Sequence, residues 1–139
     1  MHERLRQAAG KHALNCELRP VSAGELDLPA QSVDAVVCTL VLCTVEDPGQ
    51  IIREVQRVLK PGGAFFFLEH VAAPRGSGLR GVQDVLMKPW RWLFEGCHTN
   101  RETAALLETA GFSRVDIDTF RSRKMPPVIV PMISGIAYR

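Results

Sequence analysis

The sequence predicts an α/β fold built on a mixed sheet that closes with an antiparallel hairpin. Three observations carry this. Residues 33–42 (VDAVVCTLVL) are apolar and β-branched, with only Asp34 charged and only Thr39 otherwise polar. That is the composition of a strand covered on both faces. Residues 46–63 (EDPGQIIREVQRVLKPGG) read as helix and stop signal, and the apolar run at 64–68 follows. A helix between two buried strands is a parallel crossover, right-handed by default. Finally, residues 113–120 and 128–138 are strand-like runs joined through a charged turn at 121–124.

Taken in order, residues 2–12 have the composition of a short helix ended by Gly10. Residues 18–22 read as a short strand. Gly24 follows, where a ligand or another backbone gains close approach. Residues 25–31 are loop. In the central unit, Glu46 and Asp47 place negative charge at a helix entry and Pro48 suits its first turn. Ile51, Ile52, Val55, Val58 and Leu59 share one face at helical spacing. Lys60-Pro61-Gly62-Gly63 ends the helix.

Residues 72–81 carry Pro74, Gly76, Gly78 and Gly81 and are expected to form a loop. Residues 82–94 read as a helix broken near Pro89. Thr99 and Glu102 have capping-box spacing for a helix over 99–110, ended by Gly111. The alternation VDIDTF predicts a strand with one wet face over 113–120. Pro131 and Gly135 demote the last strand towards an edge or a bulge.

The bulk numbers bound the function. The 139 residues suit one domain, with 46% hydrophobic and 23% charged residues. A net charge of +2, with the basic residues dispersed, argues against a nucleic-acid or anionic-membrane partner. The four cysteines, Cys16, Cys38, Cys43 and Cys97, form no C-x-x-C pair and have no metal spacing with the histidines, so no metal is expected. A reducing compartment and core packing suit Cys38 and Cys43. The longest apolar run carries Asp34 and falls short of the about 20 residues a bilayer span takes. The opening HERLRQAAGKH is polar, so neither a leader nor a membrane span is expected, and the chain as written reads as cytoplasmic.

These motifs resemble those of a known family. An acidic residue opening a buried strand, then a helix ending in EVQRVLKPGGAFFFLEH, resembles the class I S-adenosylmethionine-dependent methyltransferases. The segments CTLVLCTV, LEHVAAP and EGCHTNRE look most like its methyltransferase-like thiol S-methyltransferases. The resemblance implies a partial Rossmann-like fold whose third, fourth and fifth strands are residues 18–22, 33–39 and 64–68. The first two strands and the Gly-rich cofactor loop are expected to be absent. Residues 1–139 would then be a single, incomplete methyltransferase domain. The third strand would move beside the fourth, the exposed edge would pair with another copy, or the chain would be unstable alone.

The resemblance also implies a site. The cofactor, S-adenosyl-L-methionine, would lie against Ala23, Gly24 and Glu25 with its adenine and against Cys38, Thr39 and Leu40 with its methionine part. A small-molecule acceptor would approach over Glu69 and His70, under Trp90 and Trp92. Transfer to a thiol needs a positioned, desolvated thiolate, and His70 is the candidate catalytic base. Plain structural roles stand beside these: a hydrogen bond to a loop for His70, a local ion pair for Glu69, helix packing for the tryptophans. Cys97 beside His98 has no third orienting group in the sequence and reads as helix-entry loop. The alternatives are an inactive truncated isoform acting as an interaction module, and a carbon or oxygen methylase of the quinone-biosynthesis kind. Endoplasmic reticulum or lipid-droplet membranes are implied for full-length relatives.

Overall fold

The computed structural model describes residues 2–13, 15–17 and 19–139. The elements are helix α1 (His2–Lys11), strand β1 (Val33–Thr39), helix α2 (Pro48–Val58), strand β2 (Leu59–His70), helix α3 (Gly78–Leu93), helix α4 (Thr103–Thr109), strand β3 (Arg114–Arg121) and strand β4 (Pro131–Tyr138). A short 3-10 turn (Pro127–Ile129) precedes β4. Among the described residues the strands form one sheet in the order β1-β2-β4-β3. β1 and β2 run parallel, and β4 is antiparallel to both of its neighbours. This is the predicted mixed α/β sheet with its terminal hairpin.

α2 forms for the reasons its sequence gives. The Asp47 side chain caps it by accepting the Gln50 N–H at 3.0 Å, and Pro48 occupies the first turn. Its buried face is Ile51, Ile52, Val55 and Val58. Burying each is worth about 1.5–3 kcal/mol. Ile51, Ile52 and Val55 of that face join Cys38 of β1, Phe65 and Phe67 of β2, Ile133 and Ala137 of β4, and Leu107 of α4 in one apolar core.

Several boundaries differ from the sequence expectation. Residues 19–22 are not a strand, and Leu18 lies outside the described residues. Among the described residues, no third strand moves in beside β1. α1 runs through Gly10. α3 begins at Gly78 rather than 82, because Ser77 caps it by accepting the Arg80 N–H at 3.2 Å. It continues through Pro89. α4 begins only at Thr103 because the expected capping box does not form. The Thr99 hydroxyl donates instead to the Gln83 carbonyl of α3, and Glu102 pairs with Arg75 and Arg80.

Two corrections concern the sheet. β4 is an interior strand, not an edge. Pro131 is its first residue, where a missing N–H costs nothing, and Gly135 is required by close approach. A Cβ at Gly135 would run into the Asp116 carbonyl and the Phe67 ring. In addition, β1 is covered on one face only among the described residues. Cys38 is buried, whereas Ala35 and Thr39 are exposed and Val37 is 74% exposed. α2 and α4 pack on the opposite face of the sheet, so every second residue of β1 stays open.

Candidate functional site at the strand tips

The carboxyl ends of β1 and β2 lie side by side, with Thr39 opposite Leu68. Beyond them a cavity of about 260 Å³ is lined by Leu40, His70, Trp90, Phe94 and Cys97, with Cys43 at its wall. Such crevices are where parallel α/β sheets bind ligands.

Glu69 builds the wall of this cavity. It is fully buried. Its carboxylate accepts the N–H groups of Val41, Leu42 and Cys43 at 2.8, 3.0 and 3.2 Å, and the Cys38 thiol stands 3.5 Å away. These bonds fix the turn that follows β1 and spend the carboxylate on backbone. Glu69 therefore does not line the cavity, and the expected acceptor contact is replaced by a structural one. Arg101 closes the same turn from outside by donating to the Leu42 carbonyl.

His70 is buried at the tip of β2. Its Nε2 stands 3.0 Å from the Cys97 Sγ, and its Nδ1 is buried without a hydrogen-bond partner in the protein. The indole N–H of Trp90 donates to the same sulfur at 3.4 Å, and the Trp90 ring stacks on Phe94 with centroids 4.1 Å apart. The loop carrying Cys97 is pinned to the turn after β1, since the His98 N–H donates to the Cys43 carbonyl at 2.8 Å. Gly96, with φ of +94°, makes this approach feasible, because a Cβ there would sit 3.2 Å from the Thr44 carbonyl. Cys43, His70 and Cys97 consequently place their ligating atoms within 4.8 Å of one another.

This cluster polarises its thiols. Cys97 is held down at about 4, first by the Cys43 thiol beside it and then by His70 and Trp90. Cys43 is pushed well above the ordinary thiol range by the same contact and by burial. Burial and then the Glu69 charge push the Cys38 thiol up to about 12, so it is inert and belongs to the core. Burial, then the Arg101 guanidinium, holds His98 below its usual value. Its Nδ1 stands 3.1 Å from Arg101 Nη2, away from Cys97.

The remaining candidates divide. Trp90 lines the cavity, while Trp92 is 87% exposed and outside it. Leu40 lines the cavity in a left-handed conformation (φ +55°) that a leucine adopts only under constraint. Thr39 is exposed beside it. Ala23 and Gly24 are half-buried near the start of α2, where the Gly24 carbonyl accepts the Gln50 side-chain amide at 3.2 Å, and Glu25 is exposed. The Cys97–His70 pair was not foreseen. The only signal was the C-H pair at 97–98, and the structure gives Cys97 a different histidine.

Comparison with known proteins decides the family. The profile of the methyltransferase domain matches residues 1–67. Thiol S-methyltransferase TMT1A of Homo sapiens is 41% identical over 137 residues, 97% of this chain and 56% of the relative. Thiol S-methyltransferase TMT1B of Rattus norvegicus is 50% identical over 91 residues, 66% of this chain and 37% of the relative. The chain belongs to the class I S-adenosylmethionine-dependent methyltransferases. It spans about half, or less, of the length of these curated relatives.

Solved structures agree on the fold. A [4+2]-cyclase, SpnF, superposes with a TM-score of 0.71 at 21% identity, covering 96% of this chain and 60% of the other. A possible histamine N-methyltransferase of Thermotoga maritima gives 0.65 at 19% identity, covering 98% and 69%. At such identities the likeness concerns architecture alone. Of the residues expected at the family's cofactor, several are open to solvent. Glu25 and Thr39 present exposed polar groups, and Leu40 an apolar one. The loop after β1, residues 40–47, contains no glycine. No helix of the described residues is long and apolar enough to cross a membrane.

Proposed function

We propose that this chain forms the acceptor side of an S-adenosylmethionine-dependent methyltransferase acting on small apolar thiols. The observation that carries the reading is the apolar cavity at the tips of β1 and β2, with His70 and Cys97 3.0 Å apart in its wall. The 41–50% identity to proteins named thiol S-methyltransferase supports it.

The cofactor supplies an electrophilic methyl group on a sulfonium. The protein's part is to bind, orient and desolvate a thiolate and to accept its proton. Leu40, Trp90 and Phe94 exclude water, and the aromatic faces of Trp90 and Phe94 favour a neighbouring cation. In the chain alone, His70 takes the thiol proton. Glu69 and the Cys97 sulfur hold the turn and the ring in place. The proposed cofactor wall is Ala23, Gly24 and Glu25 with Thr39, Leu40 and the backbone at Cys38.

Self-association would use the edge of β1 that has no partner strand among the described residues. A cytoplasmic location with contact to endoplasmic reticulum or lipid-droplet membranes draws on the exposed Val85, Trp92 and Leu93 of α3.

The test is transfer of a labelled methyl group to a panel of small thiols and phenols. The reading expects thioether products and no aryl ethers. Methylation of phenols with thiols untouched overturns it.

A further inference from the structure

The cysteine and histidine atoms gathered at the strand tips are more than hydrogen-bond partners. The geometry points to a three-ligand zinc site formed by Cys43, His70 and Cys97, whose fourth position faces the cavity and takes the acceptor thiol as a thiolate.

Three observations carry this. First, two thiols and one imidazole nitrogen, the soft and borderline ligands that zinc selects, already lie within 4.8 Å of one another. They come from three separate segments, so their meeting is a property of the fold. Second, their backbones are fixed beforehand. Glu69 holds the Cys43 N–H, the His98 N–H holds the Cys43 carbonyl, and His70 sits in the β2–β4 ladder opposite Met132. Third, the cluster has an open side. Cys43, His70 and Cys97 all border the apolar cavity of about 260 Å³.

The chemistry balances. Two thiolates and a neutral imidazole cancel the charge of one zinc ion, so the loaded site is electrically neutral against apolar walls. Binding releases the Cys43 thiol proton to solvent. Three protein ligands leave a position for an exchangeable one, as catalytic zinc sites do and structural ones do not. A thiol arriving there loses its proton to solvent and binds as a thiolate. The Trp90 N–H donates to the Cys97 sulfur and Thr44 Oγ1 lies 3.6 Å from the Cys43 sulfur, which supplies orienting groups around the ligands. The inference rests on the thiol-acceptor reading and refines it: with the ion in place, His70 is a ligand and the metal does the work of the base.

The test uses the reduced full chain and cobalt(II) as an optical stand-in for zinc, with a phosphine rather than a thiol as reductant. One equivalent of cobalt is expected to give tetrahedral d–d bands and thiolate-to-cobalt charge transfer. Cys43→Ser and Cys97→Ser should each abolish the spectrum, Cys16→Ser should keep it, and Trp90→Phe should weaken affinity about tenfold. X-ray absorption on the zinc-loaded wild type reads the ligand set without mutation, with two sulfurs at about 2.3 Å and nitrogen at about 2.0–2.1 Å expected. Adding a small apolar monothiol should shift the cobalt bands and add a third sulfur. No saturable binding, or an unchanged spectrum in the double cysteine variant, overturns the site. Metal binding that ignores the monothiol overturns its acceptor role. S-adenosylmethionine calorimetry on the same sample separates the two claims: cofactor binding without cobalt binding refutes the metal site alone, and the reverse refutes the methyltransferase reading alone.

Discussion

The imidazole of His70 and the thiol of Cys97 meet at 3.0 Å, although 27 residues separate them in the chain. The contact joins the tip of β2 to the loop between α3 and α4, and, after the Cys43 thiol beside it, helps to hold the Cys97 thiol well below the ordinary thiol range. Iodoacetamide should therefore alkylate Cys97 at a rate nearly independent of pH from about 5 to 8, because the thiolate is already formed. Mass spectrometry of quenched time points reads this directly, and Cys38 should stay unlabelled in the native state.

The same pair gives a stability profile. Cys97 has a folded value of about 4, below the ordinary thiol value, so it stabilises the fold fully above the unfolded value of about 8.5. That contribution is lost as pH falls towards about 4. Cys43 is shifted upward, so its contribution is present below the unfolded value and is lost as pH rises above it. Melting temperature should climb from pH 5 to 8 and turn down above about 9. In Cys97→Ser the climb should flatten.

Glu69 tests the wall of the site apart from its chemistry. Glu69→Ala leaves the N–H groups of Val41, Leu42 and Cys43 unpaired and buried, and should cost about 3 kcal/mol in urea unfolding. Glu69→Gln keeps the volume but turns one acceptor into a donor, and should cost about 2 kcal/mol.

The two tryptophans should separate cleanly. Trp90→Ala removes a cavity wall and the donor to Cys97, so it should raise the acceptor KM. Trp92→Ala removes an exposed side chain and should leave steady-state kinetics unchanged.

The strand residues make a similar contrast. Phe65 has no exposed surface and Val37 is 74% exposed. Phe65→Ala should cost about 3–5 kcal/mol. Val37→Thr should change stability by less than about 0.5 kcal/mol. Denaturant titrations of the two variants measure both.

What was legible in the sequence follows from what was local. The cap of Asp47, the proline after it and the buried stripe of α2 are local, and the helix starts as read, although it ends at Val58 and Leu59 to Gly63 already belong to β2. The order of β1, α2 and β2, and the antiparallel hairpin, followed from periodicity and connection length. Long-range partners decided the rest. Thr99 had the right spacing for a cap but gave its hydroxyl to Gln83, which no local pattern encodes. Gly135 looked like a strand-breaker and proved to be the only residue type that fits between Asp116 and Phe67. The composition of β1 implied two covered faces, yet its coverage depends on what packs there. At the site, His70 and Trp90 were legible from their places near strand and helix ends. Cys43 read as core, and its meeting with Cys97 depends on Gly96 bringing one loop against another.

The most direct test is methyl transfer itself. The 139-residue chain is incubated with S-adenosylmethionine labelled on its methyl group and a small apolar thiol, and the organic phase is analysed for labelled thioether. The account predicts a thioether that falls by about 10²-fold or more in His70→Gln, while circular dichroism stays native. No labelled product, together with no calorimetric binding of S-adenosylmethionine at millimolar concentration, would contradict it.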